Sequence, residues 1–230
     1  AFTFLNTEGS DAGAIYMGRN PSETGIKILG NYFQDIGNHL DKVTGIQGVY
    51  VDDRSGFVEI RGNIFNRVGS GRHAAAFKAN GGGHNLFANN VVVDGVAAFI
   101  QVHDTTPAEW REWHEGKMIS DRLAAVGFPN PDSPWARRYP VAFAAARDKV
   151  QPDPSTNLLE NNLIIRGKLV DGIVGGRYAD PLPAKKNNHV IDYDPGFENL
   201  AEGNFQIPKA VMQLEFPDFD WIDFQNIGVR

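Results

Sequence analysis

Four aspartates, Asp11, Asp52, Asp53 and Asp104, stand among cationic and aromatic residues in a pattern that suits cleavage of a glycosidic bond. That reaction needs two carboxyl groups flanking the scissile bond, roughly 5 Å apart for retention and up to roughly 9.5 Å for inversion. Asp52 or Asp53 supplies the first, because neighbouring strand residues face opposite ways and only one of them can serve. Asp104 supplies the second, with Asp11 in reserve. Lys78, His103 and Arg19 would hold hydroxyl or carboxylate groups of the glycan. Tyr16 and Tyr50 join that face, and Trp110 and the weaker candidate Trp113 offer aromatic faces for sugar rings. The same residues admit other roles: Asp53 capping the Arg54-Ser55-Gly56 turn, Asp104 capping a helix, the tryptophans pinning an insertion. In a lyase, Lys78 or His103 would take the proton α to a uronate carboxylate, with Ca²⁺ or a cation neutralising it. A hydrolase would need no cofactor, and no metal-ligating set is read from the spacing.

The elements that must position these groups come from a repeat. Ile28-Leu29-Gly30-Asn31-Tyr32-Phe33 recurs in kind at 60–65, 87–92 and 159–164, and each copy joins two short apolar strands through a bend carrying Asn31, Asn63, Asn90 or Asn162. A second row of strands, containing Met17, Val51, Phe77 and Val102, interleaves with the first and aligns on those four residues. Repeats of this length predict stacked coils around one apolar interior, an all-β right-handed parallel β-helix forming a single domain over 1–230. Identical amides at one position of successive coils predict an asparagine ladder with a step of about 4.8 Å. If Val49 and Val51 face inward, Tyr16, Gly18, Tyr50, Asp52, Lys78, Gln101 and His103 face outward, and Asp52, Lys78 and His103 line one face.

Coils are expected over about 1–104 and 155–192. The interval 105–154 reads as a helical insertion, with one helix opened by Thr106 and Pro107, one over 119–126 and one over 139–150. An aromatic tail over 193–230 is expected to cap the last coil. The chain has 22 basic and 28 acidic residues, a net charge of −6, which argues against nucleic acid as partner. No apolar run approaches a membrane span. The absence of cysteine removes disulfides and thiolate metal sites.

Four segments carry a family resemblance: 10–19 (Ser-Asp-Ala-Gly-Ala-Ile-Tyr-Met-Gly-Arg), 48–53 (Gly-Val-Tyr-Val-Asp-Asp), the 81–85 turn (Gly-Gly-Gly-His-Asn) and 194–197 (Asp-Pro-Gly-Phe). Together they resemble the pectin-lyase-like, right-handed parallel β-helix carbohydrate-active proteins, closest to glycoside hydrolase family 141, over nearly the whole chain. The chain departs from that family at His84, where an acidic residue is usual, and at His103-Asp104-Thr105, where Asp-Ala-Arg-Gly is common. The resemblance implies a secreted or periplasmic hydrolase degrading plant or algal cell-wall polysaccharide, and it aligns with the C-terminal part of such proteins. An N-terminal β-helix segment of the same longer chain is then an expected partner. A polysaccharide lyase and a catalytically silent, glycan-binding or structural β-helix are the other readings.

Overall fold

Each sequence repeat folds into one rung of three short strands. The computed structural model describes residues 2–3, 11–37, 45–103, 106–175, 183–200 and 203–227. After β1 (Phe2–Thr3), the rungs are β2 (Ala12–Met17), β3 (Ile26–Leu29) and β4 (Tyr32–Ile36); β5 (Ile46–Val51), β6 (Val58–Arg61) and β7 (Ile64–Val68); and β8 (Phe77–Asn80), β9 (Leu86–Ala88) and β10 (Val91–Val93). Two more follow: β11 (Ala97–His103), β12 (Leu158–Glu160) and β13 (Leu163–Ile165), then β14 (Lys168–Gly175), β15 (Ala184–Lys186) and β16 (His189–Ile191). They pair in parallel as three sheets, ordered β2-β5-β8-β11-β14, β3-β6-β9-β12-β15 and β1-β4-β7-β10-β13-β16.

The expectation of an all-β chain is corrected by the helices. Four of them, α1 (Pro107–His114), α2 (Lys117–Ala125), α3 (Pro134–Arg138) and α4 (Pro140–Asp148), lie between β11 and β12, and α5 (Lys209–Glu215) follows β16. The four between β11 and β12 are a second layer of structure with its own core, in which Ile119, Leu123, Trp135, Ala142 and Ala146 are buried together. The three parallel sheets are compatible with a parallel β-helix, but the chain as a whole mixes helix and sheet. Thr106 caps α1 in a reciprocal capping box with Glu109.

The bend between the second and third strand of each rung explains the Gly-Asn and Asn-Asn pairs. Gly30, Gly62, Asn89, Asn161 and Asn187 all adopt positive φ, between 48° and 65°, where glycine and asparagine are tolerated best. The next residue in each case is a ladder asparagine. Asn63 Oδ1 accepts from the Asn31 backbone N–H at 2.8 Å, and the same contact repeats between Asn63 and Asn90, Asn90 and Asn162, and Asn162 and Asn188, each at 3.0 Å. Inside the stack, Phe2, Phe33 and Phe65 are parallel with ring centroids 4.8 and 4.6 Å apart.

The tail runs along the flank of the stack and reaches the last rung, where Phe216 meets His189 at 5.2 Å and Ile191 packs among its apolar residues. Phe197, Phe205, Ile207, Met212, Phe216 and Phe219 bury the outward Ile64, Val91, Val93, Leu163 and Ile165, side chains on three successive rungs. Val91-Val92-Val93 and Leu163-Ile164-Ile165 are apolar without alternation, the pattern of strands covered on both faces.

Candidate functional site

Two rows of side chains project from the sheet β2-β5-β8-β11-β14 away from the core. In the first, Tyr16, Tyr50, Lys78 and Ile100 are in register. The second follows one pleat later, where Asp52 comes after the pair Val51–Ala79 and Asn80 pairs with Val102. Val49, Val51, Phe77, Ala79 and Phe99 face the core.

Asp52 is 7% exposed and accepts three hydrogen bonds. Its Oδ2 accepts from the Tyr16 hydroxyl at 2.6 Å, and its Oδ1 accepts from Asn80 Nδ2 and from the Asp53 backbone N–H, both at 2.8 Å. Tyr16 meets Tyr50 edge to face at 5.3 Å. Lys78 Nζ lies 4.1 Å above the Tyr50 ring centroid and 3.5 Å from Asp11 Oδ1, so it links an exposed carboxylate to the buried aromatic. Burial, and then the hydrogen bond and charge of Asp52, raise the Tyr16 phenol far above its ordinary pKa. Burial and the charge of Asp52 do the same to Tyr50. Both phenols therefore stay protonated at neutral pH.

Asp52 and Asp53 part company here. Asp53 has positive φ and turns to the surface, where Oδ2 accepts from Arg19 Nε at 2.6 Å and Arg54 lies 3.9 Å away. Arg19 is therefore engaged in an ion pair on the rim of the cluster, while Asp52 sits within it. Asp104 lies outside the described residues.

The expected single column of Asp52, Lys78 and His103 does not form. Val51 pairs with Ala79, which pairs with Gln101, while Phe77 pairs with Val49 and Phe99. The alignment drawn from the sequence is two residues off at Phe77 and one off at Val102. Lys78 thus sits beside Tyr50, one pleat before Asp52 on the same face. His103 follows Val102 and pairs with Gly175 in the backbone register. Gln101 is buried, and its Oε1 accepts from Asn157 at 3.1 Å, contrary to its expected outward position. Asn80 went unread as Asp52's partner, although its place two residues beyond Lys78 gives it the same parity.

The insertion folds back over the turns of the first two rungs. Trp135 Nε1 donates to Thr24 Oγ1 at 3.0 Å, and Arg122 donates to the Arg19 carbonyl. Trp110 is 3% exposed under the Arg54 guanidinium, whose carbon is 5.6 Å from the indole centroid, so it presents no open face to a sugar. Trp113 packs on Trp110 at 4.8 Å, is half-buried, and borders a shallow groove with Glu109, Glu112 and Met118. Among the described residues no three His, Asp or Glu side chains converge as a metal-ligand set.

Two histidines tie this packing to pH. Burial lowers the pKa of His84, which stacks on Phe57 at 4.8 Å, against an opposing pull from Asp153. Burial and then Lys149 lower that of His114, with Glu115 opposing. An unfolded histidine titrates near about 6.5, so below that pH the unfolded chain binds protons that the folded chain refuses, and stability falls as pH drops through the depressed folded values. The urea midpoint is expected to decrease between about pH 7.5 and pH 5.5. The decrease should shrink in a His84→Gln, His114→Gln double variant; an unchanged slope would assign it to other groups.

No family model, curated protein or solved structure matches the chain.

Proposed function

We propose that this chain is a glycoside hydrolase of a secreted or periplasmic kind, acting on plant or algal cell-wall polysaccharide with Asp52 as its first carboxylate. The observation that carries the reading is Asp52 itself, an oriented carboxylate on an outward face, ringed by two protonated tyrosines and with a lysine and a second carboxylate alongside. A carboxyl group that accepts at both oxygens is set up as base or nucleophile. The second carboxyl group, Asp104 or Asp11, would protonate the leaving glycosidic oxygen while water's hydroxyl ends on the anomeric carbon, so that one C–O bond breaks and one forms. Tyr16, the most exposed of the cluster's aromatics at 51%, would meet the sugar first, and Lys78 would hold an oxygen substituent.

Lys78 also supports a second reading, a polysaccharide lyase. Its near-burial over Tyr50 is the kind of setting in which a lysine serves as a base, here toward the proton α to a uronate carboxylate. The two are separated by incubating the chain with neutral and uronate-containing cell-wall oligosaccharides. New reducing ends without ultraviolet absorbance are expected. Absorbance from an unsaturated uronate would replace the hydrolase by the lyase, and neither product from a folded sample would leave a non-catalytic, glycan-binding β-structure. Asp104→Asn and Asp11→Asn, assayed in parallel, identify the second carboxyl group by which of them abolishes release.

A further inference from the structure

The first rung leaves two strand edges open. β2 and β3 stand at the ends of their sheets, and among the described residues no strand pairs with the outer edge of either. All six residues of β5 are buried, whereas Ala12, Gly13, Ala14 and Ile15 of β2 are partly exposed, and Ile15 and Ile26 close that end of the core only in part. The third strand position beyond this rung is already filled, because β1 lies on β4 with Phe2 opposite Phe33. The asparagine ladder stops here as well. Asn63, Asn90, Asn162 and Asn188 each donate Nδ2 to a carbonyl of the preceding rung, at Ile28, Ile60, Phe87 and Leu159, three residues before that rung's own asparagine. Among the described residues Asn31 Nδ2 reaches only Leu29 O at 3.0 Å and Asn63 Oδ1 at 3.2 Å, and Asn31 Oδ1 accepts from no donor.

We infer that the outer edge of β2 and β3 is an interface for one further parallel rung, supplied by a polypeptide other than a second copy of this chain, and that Asn31 recognises the backbone at that rung's bend. An unpaired strand edge is a template for another strand, and proteins that must not use it place charge on it. The opposite end of the stack carries such a charge: the column Ile28, Ile60, Phe87 and Leu159 ends in Lys185. Any strand laid over the last rung would have to desolvate that ammonium. β2 has neither charge nor proline along its length, and Lys27, the one charge on β3, is 59% exposed and paired with Glu59 at 3.0 Å. Lys185 also makes a second copy a poor occupant, since head-to-tail stacking would set it over Ile28. The occupant is therefore an extended polypeptide, apolar at alternate residues, with an asparagine seated on Asn31. Asn31 Oδ1 accepts its backbone N–H and Asn31 Nδ2 donates to the carbonyl three residues earlier, the two contacts that Asn63, Asn90, Asn162 and Asn188 make with the rung before them.

Nuclear magnetic resonance of the full chain tests this with a synthetic peptide, Val-Glu-Ile-Arg-Gly-Asn, which copies residues 58–63 and ends at its asparagine so that β1 keeps its place. A saturable shift of the Asn31 side-chain amide and slowed hydrogen exchange in β3 are expected, with β15 unchanged. In Asn31→Ala the β3 amides should respond at roughly tenfold higher peptide concentration. A peptide with lysine in place of its isoleucine, the residue Lys185 puts in that column, should not bind, and this arm leaves the protein unaltered. No shift, equal affinity for the lysine peptide, or affinity unchanged by Asn31→Ala would each overturn the inference. Sedimentation of the chain alone separates the other occupant: a monomer at every concentration supports the assignment, whereas self-association weakened by Asn31→Ala would make a second copy the occupant and overturn it.

Discussion

Asp52→Asn is expected to fold normally and to lose roughly 10²–10⁴-fold in glycan cleavage. The fold should survive because an amide preserves most of the contacts: its carbonyl oxygen still accepts from Asn80 and from the Asp53 N–H, and its NH₂ meets the Tyr16 hydroxyl, which can turn to accept. The chemistry should not survive, since an amide is neither a base nor a nucleophile toward an anomeric carbon. Thermal unfolding and reducing-end release, measured on the same preparation, separate the two. Full activity in Asp52→Asn would remove this residue from the mechanism and leave it as a hydrogen-bonded clamp for Tyr16 and Asn80. Tyr16→Phe is the companion: it deletes one donor to Asp52 and keeps the edge-to-face packing with Tyr50, so a smaller loss of activity is expected than from Asp52→Asn.

Asn90→Ala is expected to cost about 4 kcal/mol, a large share of the roughly 5–15 kcal/mol that holds a domain together. Asn90 is fully buried and sits in the middle of the ladder. Its Oδ1 accepts from both the backbone N–H and Nδ2 of Asn63 at 3.0 Å, and its Nδ2 donates to Ile60 O at 2.9 Å and to Asn162 Oδ1 at 3.1 Å. Alanine removes four contacts at once, and the Asn63 N–H loses its Asn90 acceptor where water cannot reach it. Asn31→Ala, at the partly exposed end of the ladder, should cost about 1 kcal/mol, because water replaces what is lost. Urea unfolding of the pair measures the difference, and equal destabilisation by both would show that the ladder does not work through burial.

The chain spells out its rungs. Ile28, Ile60, Phe87 and Leu159 form one register column, and Phe33, Phe65, Val92 and Ile164 another, as the repeat requires. These columns were legible because a bend at positive φ admits little besides glycine and asparagine, and the next residue's amide must pair with the rungs above and below; both demands leave their mark on residue type. The outward face of Tyr16, Tyr50, Asp52 and Lys78 was legible for a similar reason, since parity alone decides it.

What parity cannot decide is register. A strand slipped by two residues keeps every side chain on its own face, so Phe77 fits the core opposite Val51 as well as opposite Val49. Only packing of Phe77 against Phe99, at 5.1 Å, and of Ala79 against Val51 and Gln101 selects between them. That choice put Asn80, and not Lys78, beside Asp52. The helical insertion was equally open: its helices could be read from caps and apolar spacing, but helix signals are local and carry no information about which surface a helix will cover. Its return over the turns of the first two rungs buried Trp110 beneath Arg54. The residue types fixed which groups were available for chemistry, and long-range packing, which no local pattern encodes, determined which of them meet.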